Sequence, residues 1–343
     1  MYRRLSNAHF YATVVLGALL YPSLRFTGLS VLPSFLDIAK DYALGLCSLS
    51  SIVALIFAVI AFPREVIAPL TEMGPRHPAP WRTFLAVLVP AAYFLVGFTI
   101  MLFYNDVIAA IRFDGAGDVL LTRIDSALLG GFTVSNIINT TGRIWPGAFK
   151  VAAWIYVALF PQIGAGIVLL GLKRGLREAL RLVATILTAY YLSLFIFFLI
   201  PAVGPFFLDR STFSRAPAIL GYQQFLVARL HSFENHGVTS VSGDFFIGFP
   251  SMHIAQPVIL VWALRRWKRL RSILVVYDLL LIPAIVILGQ HYIIDLPVGI
   301  AVALTSIALN PQRVTYSTPV VFEDRDLLLS PECSGPPTPG HLG

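Results

Sequence analysis

The sequence has few charged residues. Asp, Glu, Lys and Arg make up 13% of its 343 residues, whereas hydrophobic residues make up 57%, and the mean hydropathy is +0.78. Apolar runs long enough to cross a bilayer recur along the whole chain. This composition excludes an ordinary soluble domain and predicts an all-α polytopic membrane protein.

Cysteine is also scarce, and the sequence shows neither a clear leader cleavage site nor a stretch that would form a soluble polar domain. Cys47 and Cys333 are the two cysteines, too few for a disulfide framework or a cysteine metal motif. The basic start, Arg3 and Arg4, and the first apolar stretch are not followed by a clear small-x-small cleavage site, so we expect a retained first helix. Because no soluble domain is expected that could bind nucleic acid, we attribute the net charge of +7 to basic loops that orient the helices across the membrane.

The apolar runs predict about eight transmembrane helices. Long polar regions at 105–150 and 206–249 interrupt them, and residues 311–343 have the composition of a disordered tail. Dense basic loops at 173–181 and 265–271 are expected in the cytoplasm, which places both termini there and puts 105–150, 204–250 and 290–292 on the outer face. The predicted helices are 10–22, 42–62, 83–104, 151–170, 182–203, one from 250 to the basic run at 265, 272–290 and 292–309.

Two histidine motifs stand at the ends of apolar segments, Gly248-Phe-Pro-Ser-Met-His253 and His291-Tyr-Ile-Ile-Asp295. The two helices between them bring the chain back to the same membrane face, so both histidines are expected at matching depth. Either histidine alone is more simply an interfacial residue bonded to a carbonyl. The pair, with a nearby carboxylate, favours an active site because ionisable groups are costly at this depth.

The local spacing predicts partners within this site. His291 and Asp295 are four residues apart, so on a helix they share one face and the carboxylate reaches an imidazole nitrogen. Ser251 suits the start of a helix whose free N–H groups attract a phosphate beside His253, although an ordinary cap explains it equally well. Gly248 permits close approach of the backbone.

These motifs resemble the second and third motifs of the type 2 phosphatidic acid phosphatase superfamily. The first motif of that family, Lys-x6-Arg-Pro, and the Ser-Arg ahead of its third motif are absent. Gly204-Pro205 at a helix end and the stretch 121–130 are similar to the branch of inositol phosphorylceramide synthase and sphingomyelin synthase. The resemblance implies a six-helix catalytic core over 83–309, preceded by a two-helix extension, 1–82, and followed by a disordered cytoplasmic tail, 310–343.

The resemblance also implies roles for single residues. His291 is expected to attack phosphorus and form a phosphohistidine, and Asp295 to stabilise the imidazolium of His291. His253 is expected to protonate the leaving oxygen and then to deprotonate the acceptor hydroxyl or water. No metal or other cofactor is expected. Asp125 is expected to hold a loop rather than to contact an acceptor. The expected substrate-binding residues are Ser251, Gly248, Gly204, Pro205 and Tyr292, with Arg210, Arg215 and Arg229 as candidate phosphate-binding cations.

The leading hypothesis is an integral membrane phosphotransferase that moves a phospho-headgroup between a lipid donor and a hydroxyl acceptor. Its substrates would be phospholipids, sphingolipids or polyprenyl phosphates, and its site would face the extracytoplasmic or luminal side. The membrane would be the plasma membrane in a prokaryote and the Golgi or another endomembrane in a eukaryote. The alternatives are a lipid phosphate or polyprenyl pyrophosphate phosphatase with the same site, a zinc-dependent intramembrane hydrolase, and a transporter with a proton relay.

Overall fold

The computed structural model describes residues 80–209, 217–236 and 245–311, and every regular element in these ranges is helical. The first two predicted helices, residues 312–343 of the predicted tail, both cysteines, Arg210 and Arg215 lie outside the described residues. The α-helices are α1 (Pro80–Arg112), α2 (Ala116–Leu128), α3 (Val134–Ile144), α4 (Ala148–Val157), α5 (Leu159–Arg174), α6 (Leu176–Leu199), α7 (Pro217–His236), α8 (Met252–Ala263), α9 (Lys268–Ile287) and α10 (Asp295–Leu309), with a 3-10 turn at Pro205–Phe207.

Four helical stretches are long and apolar enough to cross a membrane: Phe84–Arg112, Ala148–Arg174, Leu176–Leu199 and Lys268–Ile287. The helices α8 and α10 are apolar but shorter. The chain is therefore an integral membrane protein of helical type. The count of eight spans stays a prediction, since the first two predicted helices lie outside the described residues.

Helix α6 forms the centre of the bundle. It packs against α1, α5, α8 and α10, and it is the most buried of the four candidate spans. Helices α8 and α10 also pack on each other. A Cβ atom on Gly299 would lie 2.8 Å from the carbonyl oxygen of Ser251, so glycine lets the first turns of these two helices meet. This contact brings the two histidine motifs together.

Several helices differ from their predicted bounds because of tertiary contacts or local breaks. Helix α1 continues past the predicted end at 104 to Arg112, since the side-chain oxygen of Asn105 accepts the N–H of Phe246 at 3.1 Å. The predicted fourth helix divides into α4 and α5 at Ala158, three residues before Pro161, a residue that supplies no N–H to a helix ladder. Helix α6 begins at Leu176, directly after Gly175 with φ of 82°.

The region 206–249, predicted only as polar, contains the helix α7. Its buried residues, Gln223, Leu226, Val227, Leu230 and Phe233, recur with the three-to-four-residue spacing of one helix face. Gln223 donates a hydrogen bond to the carbonyl of Leu288 at 2.9 Å. The helix is therefore held against the segment that leads to His291.

Candidate active site

The candidate site lies where three connecting segments meet. Residues 200–209 follow α6, residues 245–251 precede α8, and residues 288–294 join α9 to α10. The N–H of Gly248 donates to the carbonyl of Ala202 at 2.9 Å, and the N–H of Phe206 donates to the carbonyl of Gly289 at 3.3 Å. These bonds tie the three segments together and place Gly204, Gly248 and His291 in one region.

Glycine is required at two of these contacts. A Cβ atom on Gly248 would lie 2.3 Å from the carbonyl carbon and oxygen of Val203, and one on Gly204 would lie 2.7 Å from the carbonyl oxygen of Gln290. Gly204 also has φ of 136°, which disfavours other residues. The close approach expected at Gly248 is therefore made by the backbone of the neighbouring segment.

The two histidines contact each other. Nδ1 of His253, on the first turn of α8, lies 3.2 Å from Nε2 of His291. Nδ1 of His291 lies 2.8 Å from the carbonyl oxygen of Gly248 and 3.0 Å from Oδ2 of Asp295. Both rings and the carboxylate are buried, with 6%, 2% and 0% of their surfaces exposed, respectively. The structure therefore brings His253, His291 and Asp295 into one connected group.

The partners of His291 determine its tautomer. The carbonyl of Gly248 and the carboxylate of Asp295 can only accept, so Nδ1 of His291 carries a proton and donates it. In the neutral ring Nε2 is then unprotonated, and the N–H of this contact belongs to Nδ1 of His253. An imidazole held in this way presents a basic nitrogen on the side away from the carboxylate.

Asp295 reaches His291 from the end of a helix and not along its face. Helix α10 begins at Asp295, and His291 lies in the turn before it. Oδ2 of Asp295 also accepts the N–H of Tyr292 at 2.9 Å. The expected contact between the two residues is present. The predicted start of the helix at 292 is wrong, because residues 292–294 form a turn that is closed by the hydrogen bond from the N–H of Tyr292 to this carboxylate.

Ser251 occupies the N-cap position of α8, yet its hydroxyl makes no cap hydrogen bond. The residue is fully buried, and its Oγ has no hydrogen-bond partner in the described part of the chain. A buried hydroxyl without a partner is costly. Of the two interpretations of Ser251, the geometry therefore disfavours an ordinary cap and leaves a donor at the start of the helix that carries His253.

Comparison with protein families identifies this arrangement. A family model described as the PAP2 superfamily matches residues 120–309, which include both histidine motifs. The chain belongs to the PAP2 superfamily. A search of curated proteins found no match, and neither did a search of solved structures. The match establishes the superfamily of phosphatases and phosphotransferases expected from the motifs, while the inositol phosphorylceramide synthase branch remains a proposal.

In this PAP2-superfamily site an aromatic residue covers one catalytic candidate. The ring of Tyr156, at the end of α4, stacks on the ring of His253 with a centroid distance of 4.1 Å and an angle of 21° between the planes. Sequence reasoning missed Tyr156, since an aromatic residue in an apolar helix gives no signal of its own. The stack fixes the plane of His253.

Two carboxylates on α2 hold the segments around the histidines. Asp125 accepts the N–H groups of Ile293 at 2.7 Å and Ile294 at 3.0 Å, so it holds the loop, as expected. Asp118, which sequence reasoning missed, accepts from the backbone of Val203 and Gly204 and from the hydroxyl of Tyr292. Burial raises the pKa of Asp118 to about 7, against the opposing effect of these three hydrogen bonds.

The candidate cations fall into two groups. Arg210 and Arg215 lie outside the described residues, so their role stays a prediction. Arg229, on α7, lies 3.9 Å from the buried carboxylate of Asp106 on α1, and its guanidinium covers the ring of Phe233 at 4.9 Å. This places Arg229 at the contact between α1 and α7.

A cleft of about 240 Å³ opens beside Tyr292 and Pro205. It is smaller than the roughly 300–1,000 Å³ of pockets for drug-sized ligands, so it suits a small polar group. Its lining has hydroxyls and carboxylates but no Lys, Arg or His among the described residues. The lining residues are Thr122, Asp125, Thr133, Val134, Ser135, Pro205, Leu208, Asp209 and Tyr292.

The geometry gives the zinc and transporter alternatives no support. In the described ranges, no three His, Cys, Asp or Glu side chains are arranged to share one metal ion. The histidines and Asp295 lie at or before the first turns of α8 and α10. A transport site is typically formed at mid-membrane by interrupted helices.

Proposed function

We propose that this chain transfers a phospho-headgroup between a lipid donor and a hydroxyl acceptor through a phosphohistidine on His291. The observation that carries the proposal is the orientation of His291: Nδ1 is held by Gly248 and Asp295 at 2.8 and 3.0 Å, which leaves Nε2 as the basic nitrogen. Membership of the PAP2 superfamily supports a lipid phosphatase or phosphotransferase in general. The proposal adds a named nucleophile to it.

In the first half of the reaction, Nε2 of His291 attacks phosphorus while the bond from phosphorus to the leaving oxygen breaks. His253 enters this step as an imidazolium beside the anionic phosphate: its Nδ1 proton passes to the leaving oxygen, the ring keeps the proton on Nε2, and the leaving group departs as a protonated alcohol or phosphate. The imidazolium-like charge on His291 is stabilised by Asp295, whose Oδ2 lies 3.0 Å from Nδ1. No further reactant is needed for this step.

In the second half, Nδ1 of His253 removes a proton from the hydroxyl acceptor, whose oxygen attacks phosphorus. The bond between phosphorus and Nε2 of His291 breaks, and both histidines return to their initial protonation. Water in place of the alcohol gives hydrolysis with the same residues. Transfer and hydrolysis therefore differ only in which hydroxyl reaches the phosphohistidine.

The contact between the two histidines is the resting state in this proposal. At 3.2 Å, Nδ1 of His253 occupies the line along which Nε2 of His291 would attack. The phosphoryl group has to come within roughly 3–3.5 Å of Nε2, so its entry separates the rings and leaves His253 beside the leaving oxygen. The hydroxyl of Ser251 and the N-terminus of α8 are proposed to bind phosphate oxygens there.

We assign the alcohol side of the reaction to the cleft at Tyr292 and Pro205. A lining of hydroxyls and carboxylates favours a hydroxylated group over a second phosphate. Such a cleft supports transfer, as does the absence of the phosphatase-type Ser-Arg ahead of His291. The phosphate-binding cations are proposed to be Arg210 and Arg215, so replacing both with alanine should raise KM for the phosphate donor more than it lowers kcat.

The proposal is tested with purified protein in lipid–detergent micelles. Headgroup-labelled phospholipid and labelled polyprenyl pyrophosphate are supplied separately, each with and without a long-chain alcohol acceptor such as a ceramide or diacylglycerol. Label in a new lipid supports transfer, and label only in water-soluble phosphate supports the phosphatase alternative. His291→Ala should abolish both products, whereas His231→Ala, an exposed histidine on α7, should leave them unchanged. Undiminished turnover in His291→Ala would refute the mechanism.

A further inference from the structure

Asp118 is a buried carboxylate on a helix that otherwise faces outward. Helix α2 exposes Val119, Leu120 and Leu128 by 39%, 46% and 60%, while Asp118 has no exposed surface. An ionised group in such a position is costly unless hydrogen bonds satisfy it. The reaction steps proposed above do not use Asp118.

Three donors converge on this carboxylate from two different segments of the site. Oδ1 accepts the N–H of Gly204 at 2.9 Å and the hydroxyl of Tyr292 at 2.8 Å, and Oδ2 accepts the N–H of Val203 at 3.2 Å. Gly204 abuts the carbonyl of Gln290, directly before His291, and Tyr292 directly follows it. Asp118 thus binds the chain on both sides of the nucleophile.

Packing holds α2 in the position that this network needs. A Cβ atom on Gly117 would lie 2.4 Å from the carbonyl oxygen of Pro201, so only glycine lets the helix approach the 201–204 segment so closely. One turn further, Leu121 packs with Ala202, Phe249 and Tyr292 in a small buried cluster. The approach of α2 is therefore fixed by backbone contact and by apolar burial, independently of the hydrogen bonds.

We propose that Asp118 is a positioning residue for phosphoryl transfer: it fixes Tyr292 and the 203–204 backbone relative to His291 without touching the substrate. The inference rests on the proposed function for its effect on turnover. Asp118 lies ahead of residues 120–309, which the family model matches.

Asp118→Asn is the first test, because it is nearly isosteric. The amide oxygen can replace Oδ1 and keep the bonds from Gly204 and Tyr292, while the amide nitrogen then faces the N–H of Val203, a donor against a donor. We expect kcat to fall by at least about tenfold with KM changed by less than about threefold, since small misplacements at a reacting centre are costly. Asp114→Asn, on an exposed residue whose side chain accepts the N–H of Ala116, is the matched control.

Hydrogen exchange gives a readout that needs no turnover. In Asp118→Asn, amides in segments 202–206 and 289–294 should exchange faster than in the wild type, while those of α6 and α9 should not change. Tyr292→Phe removes only the hydroxyl, and it should speed amide exchange in the same two segments by a smaller factor. In the Tyr292→Phe background, adding Asp118→Asn should lower kcat by a smaller factor than the same substitution does in the wild type. The reason is that the two side chains act through one contact.

The outcomes separate this inference from the proposed function. A wild-type protein without turnover or phosphoenzyme would overturn the proposed function, and faster exchange in the two segments would still support the structural part. An active wild type with unchanged kcat and exchange in Asp118→Asn would overturn the positioning role alone. If Asp118→Asn does not fold, Tyr292→Phe decides: lowered kcat at constant KM supports the role, and wild-type kcat and exchange contradict it.

Discussion

Buried carboxylates that each accept several hydrogen bonds organise the site at the scale of single residues. Asp295 accepts from His291 and Tyr292, Asp125 from Ile293 and Ile294, and Asp118 from three donors on two segments. A carboxylate away from water is costly unless it is satisfied in this way. All three acids therefore hold backbone around the histidines, and Asp295 in addition holds a reacting ring.

Replacing Asp295 with asparagine tests the orientation of His291. The amide keeps the size of the side chain but loses the charge opposite Nδ1 and allows the wrong tautomer, an exchange that lowers kcat by roughly 10⁴ in a serine protease triad. We expect turnover to fall by about 10²–10⁴, measured as initial rates of label transfer. Asp114→Asn should stay at the wild-type rate. A twofold effect of Asp295→Asn would contradict the role given to this carboxylate.

Asp118 predicts a pH dependence of stability. Burial raises its pKa from 3.8 to about 7 in the folded chain, so between these values the folded state binds the proton more tightly than the unfolded state. Its contribution to the free energy of unfolding is therefore largest below about pH 4 and falls as pH rises toward 7, by at most ~4 kcal/mol at about 1.4 kcal/mol per pKa unit.

Thermal unfolding in detergent from pH 4 to pH 8 measures this contribution. Relative to Asp118→Asn, the wild type should lose stability across the window and show no further change above about pH 8. The difference between the two proteins isolates Asp118 from the other carboxylates. Parallel profiles for the wild type and the variant would contradict the assigned pKa.

At the scale of elements, the site is made by the ends of helices and the segments before them. His253 is on the first turn of α8 and Asp295 begins α10. The segment after α6 is hydrogen-bonded to the segments that precede both helices. Contacts of backbone with backbone, such as Gly248 to Ala202, set the distances between these ends. The glycines at these contacts are therefore as necessary to the site as the histidines.

Gly248→Ala tests this dependence, with Gly164→Ala as its control. The added methyl at 248 would meet the backbone of Val203 at 2.3 Å, while one at 164, inside α5, meets nothing within 4 Å. We expect Gly248→Ala to lower the melting temperature and abolish turnover. Gly164→Ala should raise stability slightly, by roughly 0.5–1 kcal/mol, as alanine does inside helices. Equal melting temperatures for the two variants would show that the 203–248 contact is dispensable.

Part of this arrangement could be predicted from the sequence. The contact of His291 with Asp295 follows from their separation of four residues, although a helix start and not a helix face produces it. The nearness of His253 and His291 is predicted from the two apolar helices between them, which return the chain to the same end of the bundle. Membership of the superfamily follows from the same motifs.

Other features depend on tertiary partners and could not be predicted. The polar pair Asn105 and Asp106 looked like a helix end, yet both are buried partners of distant residues. Asp118 stands in a polar stretch whose contacts lie 85 or more residues away. For α7 the signal was present in the apolar spacing from Leu226 to Phe233, but the surrounding polar composition outweighed it.

At the scale of the whole molecule, orientation in the membrane decides which compartment supplies the substrate. The dense basic segments at 173–181 and 265–271 favour a cytoplasmic position, and helices of about 20 residues span the hydrocarbon core. The site at the opposite ends of α8, α9 and α10 is then proposed to face the extracytoplasmic or luminal side.

Cysteine labelling tests this orientation. With Cys47 and Cys333 replaced by serine, a cysteine at Ser232 on α7 should react with a membrane-impermeant maleimide added outside intact cells or to the luminal side. A cysteine at Ser272, exposed at the start of α9, should react only after the membrane is opened. The reverse pattern would place the site in the cytoplasm.

The phosphohistidine on His291 is the central claim, and mass spectrometry of the trapped enzyme tests it most directly. His253→Ala lacks the residue that activates the acceptor, so after brief exposure to a donor with a good leaving group it should accumulate an acid-labile, base-stable phosphoryl group. The account predicts that this group maps to the peptide containing His291 and is absent in the double variant with His291→Ala. Phosphate on another residue, or turnover without any phosphoenzyme in His253→Ala and wild type alike, would contradict the account.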